Sequence, residues 1–445
     1  MDRSDERAGV TQGASLPRGV HDGARPAALA RVALVGTAAI VATVALVVSR
    51  RPDALTNPQF WAEDGTVWYA QAHNHGALRA LVTPWTGYVQ TFSRLTAALS
   101  LAFDLAHAPL VFNVAAILAQ SLAPLFLLSR RCAGAIPDVR VRLLAALLFL
   151  GLPNSFEIQS NVTNTQTHLA LLALLIVLAE PPLTRAWKIF DVFFVILGGL
   201  SGPTCVLLVP VAALTWWQRR ARWSLIVLAA LLLPASVQAV TYLTTGGHTR
   251  PSTPLGAGPA RLLEIVGGQV FFAGTFGANA YAALMAHGDR WASAATVLIG
   301  VAGIAFVARA LVVTKSFALR MFALFAALAL AAALLNPVID PGPRWSTLRA
   351  PGAGIRYYAP PILAYLAVAL WSACADPSPR LRWLSRALLL VVLVVGVPRD
   401  WLVAPRVDLH FAAEAARYDA APRRSTVNIP IPPAGWNMAL RRRRS

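Results

Sequence analysis

The sequence predicts an all-α, polytopic membrane protein of about 11 transmembrane helices, with juxtamembrane helices on the outer face. Three observations carry this. Of 445 residues, 57% are hydrophobic and only 13% charged, against about 25% charged in a soluble domain. The mean hydropathy is +0.57. Long apolar runs recur along the chain, separated by short charged turns, which is the pattern of helical spans. The runs do not alternate apolar with polar residues, so an outer-membrane barrel is excluded. A formal net charge of +19 would suggest nucleic acid in a soluble domain. Here the arginines flank apolar runs and act as orientation signals, so no nucleic-acid partner is expected. Cys132, Cys205 and Cys374 lie far apart and predict neither a disulfide framework nor a zinc site.

The elements follow in order. Residues 1–28 are polar and rich in Arg, Asp and Gly; they read as a disordered cytoplasmic N-terminus. The transmembrane domain is placed at 29–397. Its first run, 33–48, is followed by Ser49-Arg50-Arg51-Pro52, a poor cleavage site, and reads as an uncleaved span. Arg3, Arg7, Arg18, Arg25 and Arg31 hold the preceding end inside, and 52–78, without Lys or Arg, lies outside. A span at 109–129 returns to the basic loop of Arg130, Arg131, Arg140 and Arg142. Within the first outer segment, 50–108, the stretch 80–107 carries Pro84, Trp85, Tyr88, Arg94 and Asp104. It reads as interfacial helices or as two short crossings.

Run 143–152 goes out, loop 153–168 lies outside, and 169–178 returns to Arg185 and Lys188. Runs 189–200 and 205–217 form two short crossings about the breaking turn Ser201-Gly202-Pro203-Thr204. Run 223–243 goes out to an outer loop, 244–290, whose apolar stretch 262–286 skims or re-enters. Run 292–313 returns, 317–335 goes out to loop 336–355, and 357–374 returns to Arg380, Arg382 and Arg386. Run 387–397 goes out and leaves 398–445 as a short outer tail. The tail's Pro-rich stretch, 428–440, reads as extended, and either covers the mouth of the site or is loosely docked. Its terminal Arg441-Arg442-Arg443-Arg444 prefers the cytoplasm, against this scheme, at a distance from the last span where the bias is weak. No internal repeat is present, which disfavours a secondary transporter.

Carboxylates are scarce in so apolar a chain, and Glu63-Asp64 places two together just beyond the first span. Either they are acids at a helix N-terminus beside an aromatic belt of Trp61, Trp68 and Tyr69, or one of them is a general base or metal ligand at the outer face. The loop 153–168 gathers Glu157, Gln159, Asn161, Asn164, Gln166 and His168. It is either a solvated connection or a set of amides and a carboxylate suited to sugar hydroxyls. Arg356-Tyr357-Tyr358 opens a span from the outer side. Arg356 is either a snorkelling anchor or a clamp for phosphate oxygens, with Arg344 and Arg349 nearby in the same loop.

At these residues the chain resembles the GT-C superfamily of polyprenyl-phosphate-sugar glycosyltransferases. Trp61-Ala-Glu-Asp-Gly-Thr-Val-Trp-Tyr-Ala-Gln-Ala72 resembles the family's first outer-loop motif, with Asp64 matching its catalytic Asp and Gly65 replacing a Glu. The stretch from Leu197 to Pro210 resembles a later Gly-Pro motif but lacks its Lys. Arg356-Tyr-Tyr-Ala-Pro-Pro resembles the late Arg-Tyr motif, and Glu157 is the one acid of the second outer loop. The resemblance implies a polyprenyl-phosphate sugar donor, inversion at the anomeric carbon, and a glycan or glycolipid acceptor among membrane lipids. Asp64 would be the base, with Glu63 as the other candidate. Glu157 and the amides of Asn161, Asn164 and Gln166 would bind sugar or a second charge, and Arg356, helped by Arg344, the donor phosphate; Tyr357 and His168 are further substrate-binding candidates, His168 being alternatively structural. Some members use a divalent metal; with no DxD motif here, no metal ligand is assigned. The Ala/Arg/Leu usage suits a bacterium, which would put the protein in the inner membrane with its site facing the periplasm. A lipid-linked-sugar flippase and an O-antigen polymerase or ligase are the alternatives.

Overall fold

The computed structural model describes residues 24–245, 253–339 and 342–442. It divides into two compact units, 1–42 and 43–445. The described part of the first is helical from Ala24, so helix begins inside the stretch expected to be disordered, and 1–23 lie outside the described residues. The second unit carries everything that follows.

The chain is mostly helical. Six helices are long and apolar enough to cross a membrane: Ala33–Arg50, Ala108–Leu128, Arg222–Thr245, Asp289–Val313, Phe317–Leu335 and Pro379–Arg399. A seventh results if Arg185–Gly199 and Pro203–Arg219, bent by 114° at the expected Gly-Pro break, form one span. This falls short of the eleven expected. The runs at 143–152, 169–178 and 357–374 are indeed helices, but Val139–Leu150, Thr165–Leu178 and Ala359–Ala375 have only 12, 14 and 17 residues, against about 20 for a typical span. Thr165–Leu178 is buried along nearly its whole length. A short apolar run reads alike whether lipid or protein surrounds it, and burial inside the bundle accounts for this one.

Two main cores organise the second unit. The larger joins Leu172 and Leu174 of Thr165–Leu178 to Ile362, Leu366 and Ala369 of Ala359–Ala375, and to Val270 and Phe271. The smaller joins the first outer segment, through Phe60, Val67, Trp68 and Tyr69, to the C-terminal tail. The tail corrects two expectations. It contains a helix, Phe411–Ala420, and an antiparallel hairpin of β1, Thr426–Ile431, and β2, Trp436–Arg441, so the fold is not all-α and the Pro-rich end is not loosely docked. Val427, Ile429 and Ile431 alternate inward and meet Met438 and Leu440 in the smaller core, the period-two pattern of a half-buried strand. Asn74 fixes β2 on both sides, donating to Ala439 O (2.9 Å) and accepting from Arg441 N (2.9 Å).

Arg50 and Arg51, which read in the sequence only as a poor cleavage site, are both buried. Arg50 donates to Leu150 O (2.7 Å), Leu152 O (3.2 Å) and Asp400 O (3.0 Å). It thereby ties the end of the first helix to the start of loop 153–168 and to the tail.

Candidate active site

The segment 57–75 turns sharply at Ala62, a non-glycine residue at φ 45°. That conformation costs about 1–3 kcal/mol unless its surroundings impose it. Here the Ala62 N–H donates to Pro432 O of the hairpin turn at 2.7 Å. Directly after it, Asp64–Tyr69 forms a π-helix, a rare form that recurs at functional sites. Gly65 allows the approach of the hairpin: a Cβ there would sit 2.7 Å from Ile431 Cδ1 and 3.1 Å from Phe60 Cβ.

The turn separates the two acids. Asp64 is fully buried. Its Oδ1 accepts from Thr163 N (2.9 Å) and Thr163 Oγ1 (2.8 Å), and its Oδ2 from Val162 N (3.1 Å). Trp68 Nε1 donates to the same Thr163 hydroxyl at 2.9 Å. Burial pushes the Asp64 carboxyl up to about 6, against the opposing pull of Thr163 and Arg406. Asp64 therefore binds loop 153–168 to the first outer segment and does not line the cavity beside it. Glu63 does. Its carboxylate makes no hydrogen bond to another described residue, and burial raises its pKa; Arg356 opposes that rise and Glu157 adds to it.

The cavity holds about 750 Å³. Its polar lining comes from Glu63, Glu157, Asn164, Gln166, Arg356 and Tyr357. Arg356 and Glu157 form an ion pair through Nη1 and Oε1, while the Arg356 backbone N–H donates to Oε2 at 3.0 Å. Arg356 Nη2 donates to Val338 O (2.8 Å) and to the Tyr357 hydroxyl (3.1 Å). A guanidinium has five N–H donors, so Nε–H and one Nη1–H stay available. Thr86, Gln90, Thr163, Thr167, Thr204 and Asn336 add further polar groups, and the rest of the wall is apolar and aromatic. Ala329, Ala332 and Ala333 present one face of the candidate span Phe317–Leu335, as their i, i+3, i+4 spacing requires. Leu207, Pro203 and Pro360 continue that wall, and Trp61, Trp68, Trp85, Tyr88, Tyr242 and Trp436 add aromatic surface.

The other sequence candidates have different places. Asn161 is buried beneath the loop, donating to Glu157 O at 2.7 Å and accepting from Asn164 N at 3.0 Å. Buried His168 contacts Ile158 O at 3.0 Å through Nε2. Arg344 donates to Thr253 O (2.9 Å) and Pro337 O (3.4 Å), joining the segment at 253 to the one at 337, and does not itself line the cavity. These three are thus not brought to the cavity that Glu63, Glu157, Asn164, Gln166, Arg356 and Tyr357 share. Gly202, in the Gly-Pro turn, packs against Gln166: a Cβ there would meet its Oε1 at 2.2 Å. The same turn holds the stretch carrying Tyr88 and Gln90, since Thr91 N donates to Leu200 O (2.9 Å) and Phe92 N to Ser201 Oγ (3.1 Å). Sequence reasoning did not assign Thr163, Trp85 or Tyr88 to a site, whereas Pro433 and Trp436 belong to the Pro-rich stretch that one sequence reading set over the mouth of the site. Their aromatic and Pro content was visible, but their convergence was not.

Among the described residues, no three His, Cys, Asp or Glu side chains come together to hold a metal ion. Both Glu157 oxygens already accept from Arg356. The cavity thus does not fit a carboxylate-held divalent metal, and no step is derived through one.

No family model and no curated protein matches the chain. Among solved structures it is similar to the archaeal oligosaccharyltransferase AglB from Archaeoglobus fulgidus, in complex with an inhibitory peptide and a dolichol-phosphate, at 14% identity and a TM-score of 0.43. The likeness covers 87% of this chain and 58% of that one.

Proposed function

We propose that this protein is an integral-membrane glycosyltransferase that moves a sugar from a polyprenyl-phosphate donor to a glycan or lipid at the outer membrane face. One observation carries the reading. A single cavity joins a carboxylate, an arginine and amide groups to an apolar wall on a candidate membrane span. A lipid-linked sugar has the matching parts: an apolar chain, an anionic phosphate and a hydroxyl-rich ring. The aromatic side chains offer flat faces to the C–H groups of the ring while keeping polar edges.

In this reading the polyprenyl chain lies along Ala329, Ala332 and Ala333. The phosphate meets the free N–H groups of Arg356, which Glu157 and Tyr357 hold in orientation. Asn164 and Gln166 receive sugar hydroxyls. The acceptor oxygen attacks the anomeric carbon as the bond to the phosphate oxygen breaks and its electron pair leaves with the phosphate. Glu63 takes the acceptor proton. A single displacement inverts the anomeric centre. The sequence assigned the base to Asp64. Here that role passes to Glu63, because Asp64 is spent on Val162 and Thr163. The proposed location is a bacterial inner membrane, with the cavity facing the periplasm.

The test is mass spectrometry of surface glycans and extracted glycolipids from a deletion strain complemented with wild type or Glu63→Gln. The expected result is loss of one sugar residue, restored by wild type and not by the variant. Unchanged glycans with accumulated lipid-linked precursor would replace the transferase with a flippase. Restoration by Glu63→Gln would remove Glu63 as the base.

A further inference from the structure

A second cavity, of about 490 Å³, abuts the first, and Trp61 and Pro433 line both. Its chemistry differs. Three arginines, Arg51, Arg399 and Arg406, line it with a single acidic residue, Asp400. One oxygen of that acid is committed, since Asp400 Oδ2 accepts from Asn154 N and Ala278 N at 2.7 Å each.

The arginines are only weakly compensated by anions: Asp53 lies 4.0 Å from Arg51 Nε and accepts from the Arg406 backbone N–H. Arg51 and Arg406 are more than nine-tenths buried, and both lie over the Trp61 ring, 5.8 and 5.6 Å from its centroid. Their side-chain hydrogen bonds go to uncharged oxygens. Arg51 donates to Gln159 O (3.3 Å) and Ala404 O (3.2 Å), and Arg406 to Ser160 O (2.8 Å), Asn113 Oδ1 (3.1 Å) and Gln59 O. The Nε of each is buried without a hydrogen-bond partner, and the ion pair of Arg51 with Asp53 is long, at 4.0 Å. Burial lowers the Arg406 guanidinium to about 9 and the neighbouring Arg51 adds to that fall, while Asp64 and Asp53 oppose it. Arg399 is exposed and makes no ion pair among the described residues. Buried like charges are costly unless an anion joins them.

We propose that this second cavity binds a phosphate or carboxylate group carried by the acceptor, with Arg399 as the direct contact and Arg51 and Arg406 supplying the field. The assignment to the acceptor rests on the transferase reading above; the anion site itself does not. An acceptor anchored there lies across Trp61 and Pro433 from Glu63, so its hydroxyl and its charge occupy different chambers. Acidic or phosphorylated acceptors would then be selected over neutral ones.

The test is calorimetric titration of the full-length protein, in neutral detergent, with inorganic phosphate and with glucuronate. Saturable binding that weakens with salt is expected, about tenfold weaker in Arg399→Ala and partly recovered in Arg399→Lys. Arg399 is exposed, so its replacement leaves the fold intact. No saturable binding by wild type, or equal binding by Arg399→Ala, would overturn the site. Competition then identifies the source. Displacement of phosphate by phosphatidylglycerol micelles assigns a lipid acceptor, and displacement by glucuronate an acidic glycan. Displacement by neither overturns the acceptor assignment. No transfer is read in this experiment, so failure of the glycosyltransferase reading leaves a separate trace.

Discussion

Exchanging the two acids of Glu63-Asp64 one at a time should separate chemistry from scaffold. Glu63→Gln removes a carboxylate that lines the cavity and bonds to no other described side chain. Loss of a general base lowers rate by about 10²–10⁴-fold, while the fold should be almost unaffected. Asp64→Asn acts differently. Burial raises the Asp64 carboxyl from 3.8 to about 6 in the folded chain, so the folded state binds the proton more tightly than the unfolded state. That contribution to stability is present below about pH 4 and is lost as pH rises to about 6. The difference corresponds to about 3 kcal/mol, as an order of magnitude. Asparagine does not titrate, so it lacks this fall. It also sets an amide N–H2 against the Val162 N–H that Asp64 Oδ2 now accepts at 3.1 Å, a fixed cost of about 1–3 kcal/mol at every pH. The assay is tryptophan-fluorescence unfolding of both variants and wild type in detergent from pH 4 to 8, with transfer from a labelled polyprenyl-phosphate sugar in proteoliposomes. Wild type should lose ground to Asp64→Asn as pH rises through the window, and only Glu63→Gln should lose transfer with unchanged unfolding. Parallel pH curves for wild type and Asp64→Asn, or full transfer by Glu63→Gln, would refute the reasoning.

Further expectations concern the same cavity. The raised pKa of Glu63 should place the acid limb of the transfer rate above the ordinary glutamate range of about 4.3, with Glu157→Gln moving it downward in a pH–rate profile. Arg356→Lys keeps the charge but loses the fork that holds Glu157, Val338 and Tyr357; donor KM should rise by about tenfold or more, corresponding to about 1.4 kcal/mol. Gly65→Val should drive a side chain into Ile431 and Phe60 and destabilise the smaller core by about 1–3 kcal/mol, read as a lower unfolding midpoint. Gly202→Ala should displace Gln166 and lower transfer without reducing accumulation of the protein in the membrane.

How much of this was legible in the sequence differs by level. The runs at 109–129, 223–243, 292–313 and 317–335 coincide with long helices because each is both apolar and long. The shorter runs at 143–152 and 169–178 give helices of only 12 and 14 residues, and hydropathy does not distinguish a short crossing in lipid from a helix in a protein interior. The hairpin was present in the alternation Val427, Ile429, Ile431, masked by the prolines beside it. Glu63, Glu157 and Arg356 stood out as charges in an apolar chain, and the cavity does unite them.

Which carboxylate faces that cavity had no signal in the local sequence. Adjacent acids look equivalent until a turn orients them. The turn at Ala62 is fixed by Pro432, and the partner of Asp64 is Thr163, both far away along the chain. The sequence by itself determined that the chain is apolar, mostly helical and polar in the loops between its runs, because composition and run length are local properties. Only the tertiary structure decided that Asp64 is buried against Val162 and Thr163, that Glu63 lines the cavity, and that the C-terminal hairpin completes its wall, because these depend on contacts between segments about a hundred or more residues apart.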